Sequence, residues 1–205
     1  MSGSITGKNF SIATWGESHG KALGVVIDGC PAGIPLSEED IQRDLDRRKP
    51  GQSPFSSPRK EDDRIGILSG VFEGRTTGTP ISLILYNTNQ RSHDYSGIAE
   101  VYRPGHADYT YDRKYGFRDI RGGGRSSGRE TAARVAAGAV ARRILSELGV
   151  DVFAYTLSIG DVEISRDRFD RKERDRNFLA MPDKEAAARA EELLHERKNA
   201  EDSAG

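Results

Sequence analysis

A single cysteine, Cys30, is all the thiol in this chain. No internal disulfide can form, and a reducing compartment fits. No apolar run approaches the ~20 residues that a membrane-spanning helix needs. The first residues lack the charged-then-apolar pattern of a secretory signal. Neither sign of charge dominates, since 31 Lys and Arg against 32 Asp and Glu leave a net charge of −1. Nucleic-acid surfaces usually carry a basic excess, so neither a nucleic-acid nor a membrane partner is expected. No metal is expected either, because no cluster has metal-ligand spacing. His93, His195 and Cys30 join no constellation. Two phosphate-loop patterns, G-x-x-x-x-G-K-[ST] and G-x-G-x-x-G, are also missing. A soluble cytoplasmic protein is expected. Its 205 residues, 35% of them hydrophobic, suit one domain or a large part of one.

The pattern of elements argues for α+β. Phe10–Trp15 and Ala22–Asp28 read as paired strands across a glycine-bounded loop. Ser37-Glu38-Glu39-Asp40 reads as a variant capping box opening a helix with Ile41 and Leu45 inward, stopped by Pro50-Gly51. Ile65–Phe72 and Ile81–Tyr86 read as strands of a hairpin with a longer loop. From Asn87 to Gly124 there is little periodicity, which marks a functional loop. Ser126–Leu148 is the strongest helix, Val152–Ile159 a further strand and Ser165–Arg176 a charge run. Asp183–Lys198 is an amphipathic helix with Ala187, Ala190 and Leu194 on one side. That order favours antiparallel sheets over a doubly wound fold.

The most informative stretch is Arg121-Gly-Gly-Gly-Arg125-Ser126-Ser127-Gly-Arg129-Glu-Thr-Ala-Ala-Arg134. Glycines free the backbone, serines can cap, and a helix start offers unpaired N–H groups with a partial positive charge. Arginine forks beside such a start suit phosphate or carboxylate. The bland alternative is a solvent-facing helix end with Glu130 pairing one arginine. Arg47-Arg48-Lys49 likewise complements a helix C-terminus, but arginine is also the better phosphate fork. Arg103-Pro-Gly-His106-Ala-Asp108-Tyr-Thr-Tyr111 packs titratable groups densely, as a proton-handling loop would. Gly16-Glu17-Ser18-His19-Gly20 fits the nucleophile-elbow pattern of serine hydrolases, which needs a helix after the serine. The residues after Gly20 are β-rich instead, so this reading is remote. Taken alone, His19 reads as a solvent histidine in a polar turn.

Together these motifs resemble the chorismate synthase family. Gly16–Gly20, Arg103–Asp108 and Gly124–Thr131 carry the resemblance, in order. It is supported by Asp46-Arg47-Arg48-Lys49-Pro50-Gly51, Leu68–Gly74, Asn89-Gln90-Arg91-Ser92, Gly160-Asp161 and Asp202–Gly205. The resemblance implies a β-α-β sandwich of antiparallel sheets packed on central helices, incomplete here. Residues 1–205 would be the N-terminal portion of one such domain. It implies a lyase of the shikimate pathway and aromatic amino acid biosynthesis, which eliminates phosphate 1,4-anti from 5-enolpyruvylshikimate 3-phosphate to give chorismate. Reduced FMN would be the cofactor, with NADPH-linked reduction by an intrinsic or separate reductase, and the whole protein a homotetramer. By motif, His19 matches the histidine that protonates the departing phosphate, and His106 the one that protonates reduced flavin near N1. Arg48 and Arg129 match substrate-binding arginines, and Arg125, Ser126 and Ser127 the FMN-contacting segment. The chain departs from the family at Pro54, where an arginine is usual and where Arg59 or Lys60 would have to substitute. Family members also continue well beyond residue 205, so a non-catalytic fragment holding a phosphorylated ligand or flavin is the competing expectation.

Overall fold

The structure, a computed structural model, describes residues 3–49, 51, 55, 62–88 and 101–204. Two compact units emerge. One comprises Met1–Lys49 with Arg59–Asp151, and the other Pro50–Pro58 with Val152–Gly205.

The first unit is built on a five-stranded antiparallel sheet. Its strands are β1 (Ile5–Thr6), β2 (Ser11–Gly16), β3 (Ala22–Asp28), β4 (Ile65–Ser69) and β7 (Ile81–Tyr86), in the spatial order β1-β2-β3-β7-β4. Successive side chains of a strand face opposite sides. Leu23, Val25 and Ile27 of β3 therefore join Ile81, Leu83 and Leu85 of β7 on one buried face. Against that face lie α1 (Glu38–Arg48), through Ile41 and Leu45, and α3 (Thr131–Glu147), through five alanines and Val140. Each aliphatic side chain so buried contributes about 1.5–3 kcal/mol, and the alanines let α3 come close to α1 and the sheet. The capping box is formed: Ser37 Oγ accepts from the Asp40 N–H at 3.3 Å, and the Asp40 carboxylate accepts from the Ser37 N–H at 3.0 Å. The strand expected over Ile65–Phe72 is broken at Gly70 (φ +81°): Val71–Phe72 leaves the sheet as β5 and pairs with β6 (Arg75–Thr76), which lies in the expected long loop.

The sequence pattern misses the short edge strand β1 and misses or misplaces further elements. A helix, α2 (Asp108–Tyr115), lies inside the segment read as structureless. Only Asp108 of it is buried, so it has no apolar stripe to reveal it. The α3 helix starts at Thr131 rather than Ser126, because Gly124–Ser126 and Gly128–Glu130 form separate 3₁₀ turns broken by an extended Ser127. In the second unit only β8 (Ser158–Ile159) of the expected strand pairs, with β9 (Val162–Glu163). The rest has β-type composition without a sheet partner among the described residues.

The second unit centres on α4 (Lys184–Asn199), whose Ala186, Ala187 and Ala190 pack with Ile164 and Met181. The Asp183 side chain caps this helix, accepting from the Glu185 and Ala186 N–H groups. It also accepts from the Ser165 N–H at 2.9 Å and from the Arg168 fork. Burial alone would raise this carboxyl, but these donors pull it down to about 2. His195 packs edge-on to Phe55. No helix among the described residues is long and apolar enough to cross a membrane.

Candidate functional site

The Gly16–Gly20 motif is the connection from β2 to β3. Gly16 has φ +90°, and a Cβ there would stand 2.3 Å from the Ala22 carbonyl oxygen, so the turn demands glycine. A strand follows it, not a helix, which removes the hydrolase reading of Ser18. Ser18 and His19 are buried, not solvent-facing. The Ser18 N–H donates to the Gly124 carbonyl at 3.3 Å, which joins this turn to the glycine turn ahead of α3. At Gly122 (φ +62°) a Cβ would lie 2.6 Å from His19 Cδ2 and 2.9 Å from Ser18 Oγ. The glycine run thus serves close packing on the imidazole.

Arg48, from the last turn of α1, and Arg129 meet at one buried carboxylate. Arg129 Nη1 donates to Asp63 Oδ1 at 2.6 Å, while Arg48 Nη1 stands 3.5 Å from Asp63 Oδ2. Arg129 Nε donates to Asn87 Oδ1 at 2.6 Å. The Asn87 amide in turn donates to the Glu17 and Gly20 carbonyls at 3.0 and 2.8 Å. One chain of contacts therefore runs from Arg48 through Asp63, Arg129 and Asn87 to the turn that carries His19. Neither Asp63 nor Asn87 was marked by any motif or period. The only hint was their residue type in short polar breaks before β4 and after β7.

His106 is exposed, its Nδ1 3.1 Å from the Pro104 carbonyl. Its loop is held by Arg103, which forks onto Asp108 at 2.8 Å through both Nε and Nη2 and also donates to the Gly122 carbonyl at 2.6 Å. The hydrogen bonds from Arg103 keep the Asp108 carboxyl well below the usual range, against the opposing effect of burial. The path from His19 to His106 thus runs through Gly122 and Arg103, whose carbonyl accepts from the His106 N–H at 3.3 Å.

Beside this network lies a cavity of about 600 Å³, lined in part by Arg125 and Ser126. Ser127 belongs to the same turn, where its hydroxyl accepts from the Arg129 N–H at 3.3 Å. The Arg125 guanidinium bonds inward, to the Gly16 and Thr14 carbonyls, the Thr14 hydroxyl and, at 3.4 Å, Glu130. Arg134 also pairs with Glu130, and Arg121 with Asp119. The glycine turn is therefore a site of matched charge: each of its four arginines has a carboxylate partner. Asp119, which lines the cavity, is held below its ordinary value mainly by Arg121, with His19 adding to the effect. Tyr111, Tyr115 and Phe117 supply aromatic wall. Of the positions singled out by sequence, Pro50, Pro54, Arg59, Lys60, His93 and Asn89–Ser92 lie outside the described residues.

The fold and site define an α+β protein whose first unit holds two joined turns, a buried arginine pair and a cavity that Arg48, Arg129, His19 and His106 do not line. The family model for chorismate synthase matches residues 10–205. A chorismate synthase of Lachnospira eligens is 64% identical over the whole chain, and one of Syntrophobacter fumaroxidans 62%. The chain spans 56% and 58% of those two relatives. A crystal structure of chorismate synthase superposes with a TM-score of 0.72 at 33% identity, over 95% of this chain and 55% of that one. This chain belongs to the chorismate synthase family.

Proposed function

We propose that the chain is the N-terminal part of a single chorismate synthase domain. Its protein would eliminate phosphate from 5-enolpyruvylshikimate 3-phosphate, giving chorismate with no net redox change. The observation that carries this reading is the continuous network from Arg48 and Arg129 to the His19 turn beside the cavity. Arg48 and Arg129 would bind the anionic substrate. His19 would give a proton to an oxygen of the departing phosphate, where meeting the developing charge lowers the barrier. His106, exposed on its braced loop, would hold a proton for the flavin N1.

The cavity's chemistry fits FMN. Its volume falls within the usual range for ligand sites, ~300–1,000 Å³, and aromatic side chains suit a ring system. Lys114 and Arg134 at its wall suit a phosphate. Reduced FMN, when bound, supplies the electron-rich ring on which the family's elimination depends. Arg125, Ser126 and Ser127 would position it. Assembly as a homotetramer in the cytoplasm, and a source of reduced flavin linked to NADPH, belong to the same proposal.

Phosphate release from the substrate, assayed with the whole protein that carries this chain, tests the reading. Release that needs reduced FMN is expected. Release that proceeds without flavin, or none at all, would overturn it. The span of 56% of its relatives favours a second reading, in which this chain by itself binds ligand without turnover. Calorimetry on the 205-residue chain with FMN and substrate separates the two: binding without product supports the second.

A further inference from the structure

We infer that Asp63 is a positioning residue for the substrate arginines, holding Arg48 and Arg129 as one preset anion clamp. The inference rests on the proposed binding role of those two residues. Asp63 is fully buried, and its two carboxylate oxygens divide between the two guanidinium groups, Oδ1 to Arg129 and Oδ2 to Arg48. Nothing in sequence proximity brings them together, since Arg129 lies 66 residues from Asp63.

The backbone around Asp63 is fixed for this task. Its φ is +46°, a left-handed conformation that Asp and Asn tolerate better than other side chains. Gln42 of α1 clamps both sides of it: its amide donates to the Asp63 carbonyl at 3.3 Å, and its Oε1 accepts from the Ile65 N–H at 3.1 Å. Asn87 holds the Nε edge of Arg129 while Asp63 holds Nη1. The fork is thus fixed on two sides before any ligand arrives.

Charge explains why a carboxylate stands there despite its desolvation cost. Two guanidinium groups brought together without a counter-charge repel each other in a low-dielectric setting. Arg129 is 5% exposed and Arg48 19%, so neither guanidinium is freely solvated. With Asp63 in place the three groups sum to one positive charge, which matches one carboxylate or phosphate oxyanion. Preset forks lower the ordering cost of binding such an anion.

The Asp63→Asn variant keeps size and backbone preference and removes the charge. Its affinity for 5-enolpyruvylshikimate 3-phosphate and for FMN is measured by calorimetry on the whole protein, with hydrogen exchange of the Arg129 Nε–H followed by NMR. Substrate binding is expected to weaken about tenfold or more while FMN binding stays within about twofold, and the Arg129 Nε–H to exchange faster. Asp63→Glu, which retains charge one methylene further out, should recover part of the loss. Should the Asn variant unfold, the Glu variant carries the same comparison, because a structural role would weaken both ligands alike. Unchanged or tighter substrate binding would overturn the inference, the tighter case meaning that Asp63 competes with the ligand. Unchanged Arg129 exchange would overturn it too. If the wild type bound no substrate yet Asp63→Asn still loosened Arg129, the positioning role would stand and the functional reading would fall.

Discussion

The imidazole of His19 lies against the bare Cα of Gly122, so close that a methyl group there would meet Cδ2 at 2.6 Å and Nε2 at 2.8 Å. The two residues come from different turns, and the contact sets where the proposed proton donor can sit. Gly122→Ala therefore both displaces the ring and strains a left-handed residue. A stability loss of about 1–3 kcal/mol is expected. Turnover of the whole protein should fall about tenfold or more, since small misplacements of a catalytic group are costly. Chemical unfolding and phosphate-release assays check this. Full activity in the alanine variant would mean that His19 need not sit where Gly122 admits it.

Arg103 braces the His106 loop through three hydrogen bonds to Asp108 and one to the Gly122 carbonyl. Of the three, the Nε and Nη2 bonds need a planar fork, which lysine lacks. Arg103→Lys should cost about 2–4 kcal/mol of local stability, because it leaves the Asp108 carboxylate underpaired in a buried position. Hydrogen exchange over residues 101–116 is the readout. Protection equal to wild type would show that the loop does not depend on the brace.

The α4 cap makes the second unit acid-sensitive. The Asp183 carboxyl falls from 3.8 to about 2 on folding. A depressed carboxyl stabilises the fold above its unfolded value, and that contribution is lost as pH falls through the folded value. Stability of this unit should therefore be flat above pH ~5 and decline from about pH 4 to pH 2. Asp183→Asn keeps a capping side chain but loses the charge that the Arg168 fork meets, so it should lower stability by about 1–2 kcal/mol at neutral pH and flatten the acid limb. Helical circular dichroism against urea at pH 6 and pH 3 tests this, and an unchanged acid limb in the Asn variant would count against it.

Trp15 is the sole tryptophan, and its ring lies over Gly24 on the neighbouring strand. A Cβ at Gly24 would stand 2.6 Å from Trp15 Cζ2 and 2.2 Å from the Leu83 carbonyl oxygen. Gly24→Ala should destabilise by about 1–3 kcal/mol and red-shift the tryptophan emission as the ring is pushed into water. Emission identical to wild type would contradict the packing.

Strands β3 and β7 end where the sequence places them, and the capping box at Ser37 opens α1 as expected, because these signals are local. Alternation, β-branched content and a serine three residues before an acid act within one turn or strand. Helix α2 leaves no periodic trace in the sequence because its hold on the fold is the buried carboxylate of Asp108 on Arg103 rather than an apolar face. The sequence pattern places the start of α3 too early because the glycines that allow tight 3₁₀ turns give no periodic signal of where the α-helix begins.

The sequence by itself determined strands β2, β3 and β7, the ends of α1 and the membership of the family, since these depend on short-range pattern and on ordered motifs. It also marked His19, Arg48 and Arg129 as residues of interest. Only the tertiary structure decided that Arg48 and Arg129 share Asp63, that Asn87 ties them to the His19 turn, and that the Arg125 guanidinium faces inward. These pairings join residues 15 to 111 positions apart, and the chain is brought together there by burial of the sheet and helices, which no local pattern encodes.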